Sequence, residues 1–457
     1  MAIRTVSNAA QLTAAFAVAA PGDRIVLNAG NYGAVDLKNH DFAGTVTIAS
    51  AVPGRAVVGN LNVQNVSNVR FEGIRFDYET SASKQGGQPF KVTNSSKIAF
   101  SKTSFDGDLA GGYAVGTGLH VTNSSQVTLE SSTMTGFHRA TYFYNVTGLA
   151  VRGNDLSAMA GDGITFAQIT GGRIEGNYIH HMRGNPASGY HKDLIQGWTE
   201  GTSRPSTDVV IRGNALHTGD GSTQSIFMGN SLARAGNKAM YWRNIVIEDN
   251  TIVAGHVHGI YVAQANGLAI RGNTVVQDMT TGLNGSINVP RIDVTPDSLG
   301  VSITGNIAHA ISGKAGWAVV NNQIVGKGYK VGGSLEDKAQ AGGAPAAPAP
   351  TVPEVDDGPD GGPDAGGPQT PAPIAPTPPA APSVGLASPQ SPAFYAETAR
   401  KLGLTLKTGV GDQGDNLVLA SAAGNAHGNG GDDVLVGNNG GGTLYGGTGN
   451  DVHAGLG

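Results

Sequence analysis

Three side chains have the types and the spacing to move protons: Asp162, His191 and Asp193, the last two within the run GYHKDLIQGW. Two carboxylates held close together can share a proton or a cation, and an imidazole beside them is a base that works near neutral pH. Around these three stand Arg139, Tyr142, Lys192, Gln196, Trp198, Phe227, His258 and Tyr261, suited to neutralising an anion, hydrogen-bonding or stacking. Charged residues are only 14% of the chain and aromatics 6%, so this gathering carries weight. The plainer alternative is that Arg139 and Asp162 form a surface ion pair, with Asp162 and Asp193 capping strand ends.

An internal repeat supplies the elements that would bring these residues together. A hydrophobic residue, two further residues and an asparagine recur as VRGNDL, IEGNYI, IRGNAL, IEDNTI, IRGNTV and ITGNIA, at Asn154, Asn177, Asn214, Asn250, Asn273 and Asn306. Residues 138–154 align without gaps on 161–177 and again on 257–273. The strands alternate with period two, as half-buried strands do. Each repeat is therefore one coil of a parallel β-solenoid, and the asparagines form a stacked internal ladder. Matching Thr141, Ile164, Ile195, Ile226 and Ile260 places Arg139, Asp162, Asp193, Gln224 and His258 in one column. Tyr142, Thr165, Gln196, Phe227 and Tyr261 fall in the column beside it. With coils about 4.8 Å apart, Asp162 and Asp193 are one step apart, whereas His258 is roughly 10 Å from Asp193. This spacing makes Asp162, His191 and Asp193 the expected catalytic core and the other eight residues substrate contacts. His180, His181 and Arg183 precede the core and are expected nearby.

The expected fold is all-β: a parallel β-helix over residues 1–330, opening with a short helix after Ser7 or Asn8 that covers the first coil. The first strand is expected at Arg24–Leu27. The repeat resembles the right-handed parallel β-helix of pectin- and alginate-acting proteins, over roughly residues 20–330.

Residues 341–393 hold 15 of the 22 prolines. Such a stretch buries too little apolar surface to fold, so 331–393 is expected to be a linker. Phe394–Thr405 has the pattern of a short helix or docking strand. Beyond it, GNGGDDVLV, GNNGGGTLY and GGTGNDVHA follow at a strict period of nine and match the calcium-binding RTX repeat. Glycines allow the tight turn, while backbone carbonyls and aspartates give calcium hard oxygen ligands. The expected ligand positions are Gly428, Gly430, Asp433, Gly446, Gly449 and Asp451, with Asp433 and Asp451 sharing one Ca2+ across an 18-residue offset. The RTX β-roll is expected over 394–457 and breaks off within a repeat at Gly457, as a fragment would.

The 457 residues include no cysteine, which excludes disulfides, thiolate metal sites and a cysteine nucleophile. No stretch approaches the ~18 apolar residues of a membrane span. A net charge of −5 gives no reason to expect nucleic acid as a partner. RTX tails resemble those of proteins exported by type I secretion machinery, which implies an extracellular or cell-surface protein. The order of β-helix then RTX repeats resembles the mannuronan C5-epimerases; their Asp-Pro-His signature is absent, and His191-Lys192-Asp193 has some of its residue types in a different order. Three functions stay open: lyase or epimerase chemistry on an acidic polysaccharide, an inverting hydrolase resembling polygalacturonase, and a non-catalytic polysaccharide-binding adhesin.

Overall fold

The computed structural model describes residues 1–79, 87–110, 113–183, 192–219, 222–279 and 288–342 of a first unit spanning 1–356. In the second unit, 357–457, it describes 405–408, 410–412, 416–420, 426–430, 434–436, 444–448 and 452–454.

The first unit is a parallel β-solenoid. Long strands such as Thr117–Glu130 and Arg139–Arg152 pair in parallel, residue 119 opposite 141 and 129 opposite 151. Alternate residues point inward, so Leu119, Val121, Val127 and Leu129 are fully buried. Each long strand bends where an asparagine takes a left-handed conformation: Asn65, Asn94, Asn123 and Asn145 have φ between 49° and 55°. Asparagine tolerates that region better than most residues, so the bend is written into the sequence. The N-terminal coils are filled by stacked phenylalanines, Phe71 on Phe100 at 4.9 Å and Phe76 on Phe105 at 4.7 Å.

The expected asparagine ladder is present. Asn154, Asn177, Asn214, Asn250, Asn273 and Asn306 are all 2% exposed or less. Each Nδ2 donates to Oδ1 of the asparagine in the next coil at 2.9 Å. The ladder extends to Asn322 at one end, again at 2.9 Å. At the other end Ser132 and then Thr103 carry it on, at 3.0 and 3.1 Å. The glycines that precede the asparagines supply the turn, with φ between 59° and 66° at Gly153, Gly176, Gly213, Gly272 and Gly305.

Two boundaries differ from expectation. A strand at Ile3–Val6 precedes the helix and pairs with Arg24–Leu27, which is therefore the second strand. The helix itself, α1 (Ala9–Ala17), follows Asn8, whose Oδ1 accepts the Gln11 N–H at 2.9 Å. Its Phe16 meets Phe42 edge-on at 5.1 Å. The segment expected to begin a linker at 331 instead includes a helix at Leu335–Gly342 that packs on Tyr178–His180 and Ala215–His217. Ser334 caps it, accepting the Asp337 N–H at 3.1 Å, and Ala339 is buried. A cap and one apolar contact suffice to fold this short stretch ahead of the prolines.

In the second unit, Ala426–Gly430 pairs in parallel with Leu444–Thr448, and Val434–Val436 with Val452–Ala454. In both pairs the partners lie 18 residues apart, two nine-residue repeats. His453 stands opposite Leu435. Asp433, Gly449 and Asp451 lie outside the described residues, as does Phe394–Leu404.

Candidate functional site

Five strands carry the site: β1 (Arg139–Arg152), β2 (Ile164–Ala167), β3 (Lys192–Gly197), β4 (Thr223–Met228) and β5 (His258–Val262). They pair in parallel in that order, through Thr141, Ile164, Ile195, Ile226 and Ile260. These five side chains are wholly buried, which fixes the register against slippage. The two columns read from the sequence follow directly. The second extends to His120 on one side of Tyr142 and to Asp293 beyond Tyr261.

Arg139 lays its guanidinium against Asp162, with Nε and Nη2 each 3.1 Å from Oδ2. The same guanidinium lies 5.7 Å from the centre of the Tyr142 ring. The other Asp162 oxygen accepts the backbone N–H of Asp193 at 3.2 Å. Asp193 in turn accepts Gln196 Nε2 at 2.6 Å. The structure thus brings Arg139, Asp162, Asp193 and Gln196 into one connected network.

Exposure departs from expectation. Asp162 is 4% exposed, Lys192 3% and Asp193 0%. Both faces of β3 are covered, so the alternation that would present every second residue to solvent is lost there. Lys192 therefore does not reach the solvent face as a substrate contact would, and Arg139, its side chain 29% exposed, is the more accessible cation. His191 lies outside the described residues. His180 belongs to the other sheet, where it bonds Asp155 at 2.8 Å, and it takes no part in the network.

What faces outward is a trough between two aromatic stacks. On one side His120 stacks on Tyr142 at 4.6 Å, and Trp198 leans over Tyr142 and Tyr144 at 5.9 and 6.0 Å. On the other, Phe227 stacks on Tyr261 at 4.9 Å, with His258 4.8 Å from Tyr261. Of the two intervening coils, one contributes Gln196 to the cavity, while Thr165 on the other is buried at 1% exposed. A cavity of about 420 Å³ opens here, lined by Arg139, Tyr142, Gln196, Trp198, Phe227 and Arg234 among others. Five of the predicted substrate contacts line it.

Insertions wall the trough. After β4 come α2 (Ser231–Arg234) and a 3-10 turn, Lys238–Met240. Buried Asn230 locks them: its Oδ1 accepts from Thr199 Oγ1 and the Ala233 N–H at 3.0 Å, and its Nδ2 donates to the Met240 carbonyl at 2.8 Å. The opposite wall is pinned by Gln168 Oε1, which accepts the Ser203 N–H and hydroxyl at 2.7 and 2.8 Å.

Burial shifts the titratable groups of the site. Burial, with help from nearby His256 and Arg291 and against Asp293, pushes His258 down to about 4. Its Nδ1 lies against the side-chain amide of Gln224. His120 is likewise pushed down to about 4, by burial first and then by Lys91 and Arg139. Both imidazoles are therefore neutral at pH 7. Burial raises the Tyr142 hydroxyl above its ordinary value, with Arg139 pulling the other way.

Sequence reading missed His120, Tyr144, Asn230 and Arg234. A signal for the first existed: residues 117–130 fit 139–152 without gaps, which sets His120 on Tyr142. Another cavity, of about 610 Å³, lies at the bend of the N-terminal coils. Asn65, Asn94, Asn123 and serines line it, with His40 and Asp41 its only ionisable groups, so it offers little acid–base chemistry. Among the described residues no three His, Asp or Glu side chains converge as metal ligands.

A family model described as "Right handed beta helix region" matches residues 113–324, and the first unit is a right-handed parallel β-helix domain. Similar solved structures include an alginate lyase from Paenibacillus, 15% identical, covering 72% of this chain and 96% of that one, TM-score 0.38. A surface adhesin of Streptococcus pneumoniae is 13% identical over 67% and 86% of the two chains, TM-score 0.45. The mannuronan C-5 epimerase A-module of Azotobacter vinelandii is 13% identical over 70% and 93%, TM-score 0.39. No curated protein matches the chain.

Proposed function

We propose that the trough binds an acidic, uronic-acid polysaccharide and removes the proton α to a sugar carboxylate, as a lyase or C5-epimerase does. The observation that carries this reading is Arg139 set beside Tyr142 at the edge of an aromatic-walled trough. A carboxylate next to Arg139 loses its charge repulsion toward a developing carbanion, which makes the C5 proton more acidic. In this reading Tyr142, protonated at neutral pH, gives up the proton that the leaving oxygen or the opposite face takes, and Asp162 holds Arg139 in position. In a lyase the C5–H electrons form the C4=C5 bond, the C4–O bond breaks, and the leaving oxygen takes a proton. In an epimerase the proton returns to the opposite face. Gln196, smaller than the aromatic residues on either side, leaves room for the sugar, and the two stacks hold its neighbours. His191, in the sequence next to Lys192, is the base of this proposal.

Burial weighs against the hydrolase alternative. Inversion needs an accessible acid and an accessible base on opposite sides of the sugar. Asp162 and Asp193 are 4% and 0% exposed and already engaged.

Product analysis on alginate, pectate and bacterial exopolysaccharides tests the reading. We expect either unsaturated ends absorbing in the ultraviolet or solvent-proton exchange at C5 without cleavage. New reducing ends without that absorbance point to a hydrolase. Unaltered polymer that still binds leaves an adhesin.

The reading extends to the second unit as a calcium-ordered RTX β-roll on a protein exported by type I secretion machinery to the cell exterior. The 18-residue offset between its paired strands supports this. Adding Ca2+ to the full chain is expected to increase its circular-dichroism strand signal, and Asp433→Asn with Asp451→Asn is expected to abolish that increase. A calcium-insensitive spectrum removes the metal from the proposal.

A further inference from the structure

We infer that a second pocket, built on the insertion after β4, binds an acid group of the same polymer beyond the sugar held in the trough. The inference rests on the acidic-polymer reading above and adds where the chain runs. The pocket is a cavity of about 510 Å³ lined by Arg234, Lys238, Tyr241, Arg243, Asn266 and Asp297, among others. Arg234 also lines the trough, so the two cavities adjoin at one side chain.

Charge singles this pocket out. Along the solenoid, arginines are consumed by ion pairs: Arg4 with Asp23, Arg24 with Glu72, Arg70 and Arg152 with Glu130, Arg212 with Glu175, Arg271 with Glu248. Arg234, Lys238 and Arg243 have no carboxylate within ion-pair reach among the described residues. Arg243 makes one long bond, Nη2 to the Ala239 carbonyl at 3.4 Å. The one carboxylate in the lining, Asp297, accepts the Tyr241 hydroxyl at 3.3 Å. Three cations against one anion leave the pocket positive in a chain whose net charge is −5.

The cations stand on a fixed base. Ala233, Met240 and Tyr241 form their own small buried cluster, with Leu232 packed on it. Asn230 bonds across it, and Asn237 accepts the Ala239 N–H at 3.2 Å to start the 3-10 turn. Mobile side chains rooted on a rigid loop lose less entropy on binding than the same groups on a floppy one. The direction is right as well. Arg243 pairs with Asn266, and Asn266 with Leu299, on the strands that follow β4, β5 and Arg291–Val294 within the same three coils. The pocket therefore lies beside the trough on the next strand of each coil and reaches two coils further along the solenoid axis, roughly 10 Å. A polymer bearing a carboxylate on each sugar fits such a track. Tyr241 and Asn266 offer hydrogen bonds to its hydroxyls.

Affinity electrophoresis and calorimetry on the full chain with polyuronate test this. Lys238→Ala with Arg243→Ala is compared with Arg55→Ala with Lys102→Ala, which removes the same charge from exposed positions elsewhere. We expect the pocket variant to bind polyuronate about tenfold more weakly, with a shallower salt dependence, as two partly exposed ion pairs give. The control variant is expected to match the wild type, and Lys238→Arg with Arg243→Lys to retain most of the affinity. Unchanged melting temperatures separate this from misfolding. If the wild type binds polyuronate and the pocket and control variants behave alike, the pocket assignment falls while the trough reading stands. If the wild type binds no polyuronate, the trough reading fails and takes the pocket with it. Equal competition by polyphosphate reduces the pocket to a non-selective patch and overturns the assignment.

Discussion

Replacing Asn214 by leucine is expected to cost the solenoid about 3–5 kcal/mol, a large share of the 5–15 kcal/mol that holds a typical domain folded. Asn214 is 1% exposed, so leucine fills nearly the same space and the loss is one of hydrogen bonds. Its Oδ1 accepts both the backbone N–H and the Nδ2 of Asn177 at 2.9 Å. Its own Nδ2 donates to Asn250 Oδ1 and to the Ile174 carbonyl, also at 2.9 Å. Leucine orphans the Asn177 N–H outright and removes one partner each from Asn177 Nδ2, Asn250 and Ile174. No water can reach the ladder to replace them without opening a coil. Asn322→Leu, at the half-exposed end of the ladder, is expected to cost about a third as much, because only Asn306 donates to it and solvent is nearby. Denaturant unfolding of the two variants gives both numbers. Equal costs at the two positions, or a loss under 1 kcal/mol at Asn214, would show that backbone pairing alone sets the coil.

The ladder and the two columns were legible because they follow from rules that act within one coil. Period-two alternation fixes which side chains point inward, and Thr141, Ile164, Ile195, Ile226 and Ile260 then have only one register that buries them all. The burial of Asp162, Lys192 and Asp193 was not legible, because it depends on what covers the coil from outside. Trp198, Thr199 and the α2 insertion are irregular segments, and no periodicity reports where they fold back. Arg234 was invisible for the same reason: it reaches the trough from a four-residue helix that Asn230 fixes in place. His120 was legible in principle, since its strand repeats the next at 22 residues, but it precedes the first Asn of the ladder motif. What the structure changes is the division of labour. The carboxylates recede into the scaffold, and Arg139 and Tyr142 come forward to line the cavity.

That division predicts the order of damage at the site. Arg139→Gln is expected to lower turnover of a uronate polymer about 10²–10³-fold, the usual cost of deleting a group that stabilises developing charge. It also strips the cation from Asp162, a carboxylate 4% exposed whose remaining described bond is the Asp193 N–H, at a stability cost of about 2–3 kcal/mol. Asp162→Asn keeps an oxygen for that N–H and loosens only the aim of Arg139, so turnover should fall about tenfold. Arg139→Lys belongs between the two, because an ammonium cannot present the guanidinium fork to Asp162 or lie flat against Tyr142. Activity and stability can then be pulled apart. Combining Arg139→Gln with Asp162→Asn removes both charges at once and should regain most of the lost stability through an amide pair. Its turnover should stay as low as that of Arg139→Gln alone, because the neutralising cation is gone. A double variant that regained activity along with stability would mean that Arg139 serves only to satisfy Asp162, and the proton-transfer site would have to be sought elsewhere on the solenoid.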